Sequence, residues 1–381
     1  MLIRQSMLLD TWSIAPLGDV VEFLDNKRKP ITAIDRVPGP YPYYGANGQQ
    51  DSVAEYIFDE PLLLLAEDGG HFGVTGKKIA YRVYGKCWVN NHAHVLRPKS
   101  DVADLGFLCR TLERYDVTPF VTGTTRGKLT KAAAARIPVP LPSIGEQRRI
   151  AAILDKADAI RRKRREAIAL TEELLRSTFL EMFGDPVTNP KGWPTTLFGL
   201  VGKLDRGMSK HRPRNDPALL GGPYPLIQTG EVSRSEGVIR AYSQTYSEFG
   251  LSQSRMWPAG TLCITIAASI AQTGVLAFDA CFPDSVVGFH PKPTITTEYV
   301  QGWLSFLQPL VEARAPQVAQ KNINLEILRA LEIPTPPLSL LQRHARVVSA
   351  IRANSEHQRA AADEADNLFH SLVQRAFRGD L

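Results

Sequence analysis

The feature that most constrains this chain is that it states one pattern twice. Ile137-Pro-Val-Pro-Leu-Pro-Ser143 leads into Gln147-Arg-Arg-Ile150 and a long helical pattern, and Ile333-Pro-Thr-Pro-Pro-Leu-Ser339 leads into Gln342-Arg-His-Ala345 and another. The first helix closes on Phe183-Gly184-Asp185, the second on Phe377-Arg-Gly379-Asp380. Residues 147 and 342 lie 195 apart, and so do the two Gly-Asp endings. Weaker echoes precede each helix in the same order. Trp12 with Leu17-Gly18 matches Trp193 with Phe198-Gly199, and Tyr41-Pro42 matches Tyr224-Pro225. Cys87-Trp88 matches Cys281-Phe282 at the offset that also relates Leu129 to Ile323. Self-similarity at a fixed long period marks a structural unit used more than once. The order predicted is globular domain, long helix, globular domain, long helix.

Each helix carries an apolar stripe. In the first, Ile153, Ile160, Ala167 and Leu174 recur every seven residues beside Leu154, Ile168, Leu175 and Met182. In the second, Ile351, Ala365 and Leu372 stand beside Val348, Ala362, Phe369 and Ala376, with Asn354 and Gln358 interrupting. Seven-residue spacing builds a seam for another helix. Helices of about 37 residues, ~55 Å long, cannot hide such a stripe inside one small domain. They are expected to pack on each other antiparallel, as a rod holding two globular heads apart. The run Arg161-Arg-Lys-Arg-Arg165 reads as a solvated face, or alternatively as a basic patch along phosphates. Pro138, Pro140 and Pro142 mark a rigid exit from the first domain. Ser143 and Ser339 are the expected helix caps, with Glu146 three residues beyond Ser143.

The globular parts read as mixed α/β. Leu62–Ala66 and Thr261–Ile266 are apolar strand candidates, and helices are expected near Asp104–Glu113 and Glu298–Leu307. With 44% hydrophobic and 22% charged residues, 381 residues supply core material for two domains. A formal charge of +6 permits a polyanionic partner without requiring one. Cys87, Cys109, Cys263 and Cys281 are far apart with no C-x-x-C pair, which argues against zinc and for reduced thiols. No apolar run approaches the ~20 residues that span a bilayer, so a cytoplasmic location is expected.

No catalytic motif survives inspection. Gly76-Lys77-Lys78 and Gly127-Lys128 lack the upstream glycine and following Ser/Thr of a phosphate loop. Asn189-Pro190-Lys191-Gly192-Trp193 lacks the second proline of a base-holding methyltransferase motif and reads as a turn. His92-Ala93-His94 places two imidazoles on one face of a strand, with Cys87 and His71 as conceivable further ligands. Ordinary strand histidines, or base and phosphate contacts, are the preferred reading. No catalytic or metal-binding residue is therefore assigned.

What remains are polar, basic and aromatic clusters in loop-like places, the residue types that contact phosphates and base edges. In the first half these are Lys27, Arg28 and Lys29; Tyr43, Tyr44, Asn47 and Gln49; Lys77 and Lys78; Asn90, Asn91 and His92; and Thr124, Thr125, Arg126 and Lys128. In the second they are Lys210, His211, Arg212 and Arg214; Gln228 and Thr229; Arg255; Asp284 and Ser285; and Gln317, Gln320, Lys321 and Asn322.

With repeat, helices and the I-P-x-P-x-x-S lead into Gln-Arg assembled, the chain resembles the specificity subunits of type I restriction-modification systems. The resemblance runs from about Trp12 to Leu381 and is sharpest at Ile137–Ile150 and at Arg375-Ala-Phe-Arg-Gly-Asp-Leu381. It departs at Leu340-Leu341, where the family carries acidic or polar residues. It implies target-recognition domains at 1–142 and 185–337 and spacer helices at 143–184 and 338–381. It further implies a non-catalytic reader of a bipartite asymmetric site in double-stranded DNA. Two methyltransferase subunits would dock on the helices, with restriction subunits attached through them. S-adenosylmethionine, ATP and Mg2+ would be held by those partners, and this chain would bind no cofactor. A structural protein that bridges DNA through its rod, and the specificity subunit of a modification-only system, are the alternatives.

Overall fold

The computed structural model describes residues 12–74, 76–123, 126–267, 270–314 and 323–381. They divide into two compact units, Met1–Glu166 with Arg359–Leu381, and Ala167–Gln358. Each unit thus holds one globular domain together with about half of each long helix.

Leu62–Ala66 is a strand in which all five residues are buried, as an unbroken apolar run of that length requires. It lies inside a four-stranded antiparallel sheet ordered Val21–Phe23, Ala93–Pro98, Leu62–Ala66, Ala80–Val83. A second four-stranded sheet runs Gly48–Val53, Pro38–Gly45, Lys86–Val89, Phe58–Asp59, its central pair parallel and its flanking pairs antiparallel.

The second unit repeats this topology. Gly202–Arg206, Val286–Pro291, Leu262–Thr265 and Thr273–Leu276 follow in the same order and sense, with Gly237–Ile239 added parallel at the edge. The mixed sheet recurs as Gln244–Tyr246, Leu220–Leu226, Ala280–Cys281, Met256–Trp257. Cys87 pairs with Phe58 as Cys281 pairs with Met256, so the cysteines occupy equivalent places. Each domain is closed by a two-stranded ribbon, Ser13–Pro16 with Pro138–Leu141 and Thr195–Leu197 with Glu332–Pro334. The prolines sit on such ribbons because an edge strand tolerates missing N–H donors.

The long helices span Ile144–Phe183 and Leu338–Arg378, 40 and 41 residues, somewhat longer than expected. Ser143 caps the first, its Oγ accepting from the Glu146 N–H at 3.3 Å. Ser339 does not cap the second. That helix begins at Leu338, and the Pro337 carbonyl accepts from Leu340 and Leu341. The glutamine match also shifts by one. Gln147 is 1% exposed, whereas Leu341 is the buried residue at its place and Gln342 is exposed. Burial repeats at an offset of 194, as Leu154 with Val348 and Phe183 with Phe377. The 195-residue Gly-Asp spacing arises because Arg378 extends the second helix by one residue. Gly184 and Gly379 both follow with φ near 75°, specifically 78° and 72°, a left-handed helix stop.

Within the first unit Arg161 meets Asp366 and Arg149 donates to the Leu381 carbonyl, so the helix halves run antiparallel. In the second, Phe179 and Phe183 pack edge-on against His344. The seam follows the flanking positions of the expected stripe: Leu154, Val348, Phe369 and Ala376 are buried, and Ile168, Leu175, Met182 and Ala362 are partly so, while Phe179, outside that stripe, is buried as well. Ile160 and Leu174 are exposed at 43% and 50%, and Ile153, Ala167, Ile351, Ala365 and Leu372 are intermediate. Arg161 is not part of a solvated face. Its side chain is 13% exposed, pairs with Asp366 at 2.7 Å and lies 4.3 Å over the Phe369 ring. Among the described residues no helix is long and apolar enough to cross a membrane.

Candidate nucleic-acid interface

Strand direction decides which loops meet. In the first unit Phe23 pairs with Leu96, Ala66 with Ala93, and Leu65 with Ala80. The loop leaving Phe23, the turn entering Ala93 and the loop from Ala66 to Ala80 therefore emerge at one end of the sheet. The segment before Leu129 joins them, through the Asp68 and Lys128 bridge and the Leu129 N–H donating to the Glu67 carbonyl. In the second unit the pairs Arg206–Val287, Thr265–Val286 and Ile264–Thr273 gather the equivalent loops. The Ile323 N–H donating to Ile266 reproduces the Leu129 anchor. Most of the candidate residues thus fall at one end of each domain.

At the first end a concavity of about 380 Å³ is lined by Arg36, Tyr43, Gln50, Asn90, Asn91, His92 and Arg126, among others. Asp68 organises the charged side: Arg126 Nε lies 2.6 Å and His92 Nδ1 3.4 Å from its carboxylate. Asn47 ties to this edge by donating to the Gly69 carbonyl at 3.0 Å. Gln49 binds its own strand at Asp51 and Ser52. Lys27, Lys29, Lys77, Asn91 and Lys128 are exposed. Arg36 and Gln50 line the concavity although neither belonged to an expected cluster.

Several candidates are structural instead. Tyr43 is 1% exposed, with its hydroxyl at the Ile31 backbone and Arg36 across its ring, so its aromatic face cannot meet a base. Tyr44 is half-buried against Tyr81. Asn90 is 3% exposed and spends its amide on Gln50 and the His92 N–H. Arg28 is held by Glu67, Asp25 and the Ala93 carbonyl. Lys78 pairs with the buried Glu113 at 2.9 Å. Alternation of polar residues does not reveal which of them face inward.

At the second end Lys210, His211, Arg212 and Arg214 share one loop. Arg214 lies 2.5 Å and Arg212 3.9 Å from Asp284, and His211 lies 2.9 Å from Asp216. Ser285 is half-exposed beside Asp284. Arg255 stacks 4.0 Å over Trp257 and reaches Asp205 at 3.3 Å. Gln228 donates to Gln244 at 2.7 Å and closes a capping box with Glu231 over the short helix that opens at Thr229. Thr124, Thr125, Gln317, Gln320, Lys321 and Asn322 lie outside the described residues.

The two histidines of His92-Ala93-His94 do not share a strand face. His92 lies in the turn, and the strand begins at Ala93. His94 is fully buried between Asp25 Oδ2 at 2.6 Å and the Leu129 carbonyl at 2.8 Å. Asp25, Glu67 and His94 bring ligand atoms within 4.8 Å of one another, but Arg28 already supplies the cation there. Burial works against ionising Asp25, yet the His94 contact and charge, the Val95 N–H and Arg28 together hold it below the usual carboxylate range. Burial pushes Cys87 up to about 11 and Cys109 to about 12, so neither is poised as a nucleophile.

The two domains thus present different polar loops at the corresponding end of equivalent sheets. The family model for the type I restriction modification DNA specificity domain matches residues 10–170 and again 201–362. The chain belongs to that family.

A Haemophilus influenzae protein assigned as a type I restriction enzyme specificity subunit is 40% identical over 145 residues, 38% of this chain and 37% of that one. The MjaVIII specificity subunit of Methanocaldococcus jannaschii is 23% identical over 207 residues, 50% of this chain and 46% of that one. The matched stretches therefore span less than half the length of these two relatives. The crystal structure of the type I restriction-modification S subunit from M. genitalium superposes with a TM-score of 0.69 at 13% identity, covering 96% of both chains. A chain from a structural account of complex assembly and conformational transition in the type I R-M system gives 0.52 at 19%, covering 98% and 99%. At these identities the likeness concerns the fold.

Proposed function

We propose that this chain is the DNA-addressing subunit of a type I restriction-modification complex. Each domain reads one half of a split asymmetric target, and the long helices set the unread spacing and dock methyltransferase subunits, through which restriction subunits attach. Methyl-donor and Mg2+–ATP chemistry resides on those partners. The observation that carries this reading is that equivalent loops converge at the corresponding sheet end in both domains while bearing different polar groups: Asn91 and His92 lead into the strand that starts at Ala93, where Asp284 and Ser285 lead into the strand that starts at Val286. A shared frame with different donor sets is what two unlike half-sites require, because base edges are distinguished by their donor and acceptor patterns.

The test is methylome sequencing of cells expressing this chain with its neighbouring methyltransferase, against the methyltransferase alone. Methyl-adenine at one bipartite motif, dependent on this chain, is the expected outcome. No new motif, given a methyltransferase shown active with another specificity subunit, overturns the reading in favour of a DNA-bridging protein.

A further inference from the structure

Three arginines belong to the loops gathered at the loop end of the first domain: Arg28, Arg36 and Arg126. Two of them are spent on the fold. The Arg28 side chain is 12% exposed and is held by Asp25, Glu67 and the Ala93 carbonyl. The Arg36 side chain, 18% exposed, pairs with Asp51 at 3.2 Å and lies 4.2 Å over the Tyr43 ring. Arg126 differs. Its side chain is 59% exposed, it lines the concavity, and its ionic partner among the described residues is Asp68.

That pairing is built on the backbone. Asp68 and Lys128 form an antiparallel bridge, and the Gly69 N–H donates to the Gly127 carbonyl at 3.3 Å. Lys128 and Thr122 exchange backbone hydrogen bonds at 2.7 and 2.9 Å, which closes the turn that carries Arg126. The closest ionic approach is Arg126 Nε to Asp68 Oδ1, 2.6 Å. The guanidinium is set against Gly69, where a Cβ would come within 3.1 Å of Nη2 and 3.2 Å of Nε. Gripped at Nε, the group keeps its two Nη atoms clear of hydrogen bonds among the described residues. A guanidinium already fixed by a carboxylate gives up little further freedom when it meets a ligand.

The internal repeat shows that the pair is present or absent as a unit. The Leu129 N–H donates to the Glu67 carbonyl as the Ile323 N–H donates to the Ile266 carbonyl, so Asp68 corresponds to Ala267. Counted back three residues from the same anchors, Arg126 corresponds in sequence to Gln320. The second domain thus replaces both the cation and the carboxylate by neutral residues. A pair needed to hold the shared frame together would recur in both domains. This pair belongs to what distinguishes them.

We propose that Arg126 reads one guanine of the target, presenting its Nη donors to N7 and O6 in the major groove, with Asp68 as the residue that positions it. The proposal rests on the DNA-addressing reading above. Two adjacent acceptors on a base edge are offered in that groove by guanine alone, and the guanidinium fork matches them. The same fork would fit a phosphate, and Asp68 decides between the two. A carboxylate 2.6 Å from the guanidinium offsets its charge and repels an anion, whereas a base edge is neutral. Phosphates fall instead to the exposed lysines Lys27, Lys29 and Lys77.

The experiment uses the full chain with its methyltransferase, on duplexes carrying the motif that the methylome supplies. Each guanine in turn is replaced by 7-deazaguanine, which puts C–H in place of the N7 acceptor, and binding is measured by competition. The parent is expected to bind roughly tenfold more weakly when one particular guanine is altered, the scale of one bidentate pair. Arg126→Ala should lose a similar factor on the unaltered duplex and show no further penalty at that guanine. It should keep every penalty elsewhere, which also reports that the chain is folded. Asp68→Asn should reduce the penalty at the same guanine, and should not tighten binding to all duplexes alike, as removing a negative charge beside a phosphate contact would. A uniform loss in Arg126→Ala with every penalty intact assigns a phosphate contact and overturns the proposal. A motif without guanine, or an Arg126→Ala chain that binds as the parent does, overturns it as well. These outcomes leave the DNA-addressing reading standing, whereas absence of any bipartite motif overturns that reading and the proposal with it.

Discussion

Gln147 shows how one side chain joins a helix to its domain. Its Oε1 accepts from the Asp104 N–H at 2.9 Å, and its Nε2 donates to the carbonyls of Val102 at 3.0 Å and Pro142 at 2.9 Å. The second unit puts Leu341 in that buried place, an apolar solution to the same junction. Gln147→Leu should nevertheless destabilise the first unit by about 1–3 kcal/mol, because the Asp104 N–H and two carbonyls would lose their partner. Urea denaturation compared with the parent chain checks this, and an unchanged midpoint would sink the account. Asp25 makes a second residue-scale prediction. Its folded pKa is depressed, so its contribution to stability is fully present above the unfolded carboxylate value of about 3.9 and is lost as pH falls through the folded value. Melting temperature followed from pH 5 to pH 3 should fall more steeply in the parent than in Asp25→Asn. Parallel curves would remove Asp25 from the acid transition.

At the scale of elements, the long helices pack through positions one residue away from the heptad that the sequence displays most plainly. Ile160 and Leu174 look like seam residues, yet the seam passes through Leu154, Arg161, Ile168 and Leu175. A helix has room for two adjacent apolar stripes, and only the partner surface chooses between them. Arg161 enters the seam because Asp366 neutralises it and the Phe369 ring takes its flat face. If the helices act as a ruler, a seven-residue insertion into each of them keeps this packing phase while adding ~10 Å, about three base pairs of spacing. The expected methylome shows both half-sites unchanged and a spacer longer by about that amount. A rewritten half-site would refute the division of labour between helices and domains.

Over the whole molecule, the duplication, the mixed α/β domains, the two long helices and the family were all legible before any coordinate. Each rests on a pattern that repeats along the chain: apolar periodicity, proline placement and ordered landmarks 194 or 195 residues apart. The candidate loops were legible as a neighbourhood, since most expected clusters fall at one end of the sheet that holds Leu62–Ala66 in one domain and Leu262–Thr265 in the other. They were not legible residue by residue. Tyr43 and Asn90 are buried, Arg28 and Lys78 are committed to carboxylates, and Arg36 and Gln50 went unnoticed. Periodicity is a property of the chain's own geometry, so sequence alone determined the elements and the fact that they are used twice. Which polar group faces a loop end and which stripe becomes the seam were decided only by tertiary structure. Those outcomes depend on pairs of residues that no local pattern connects.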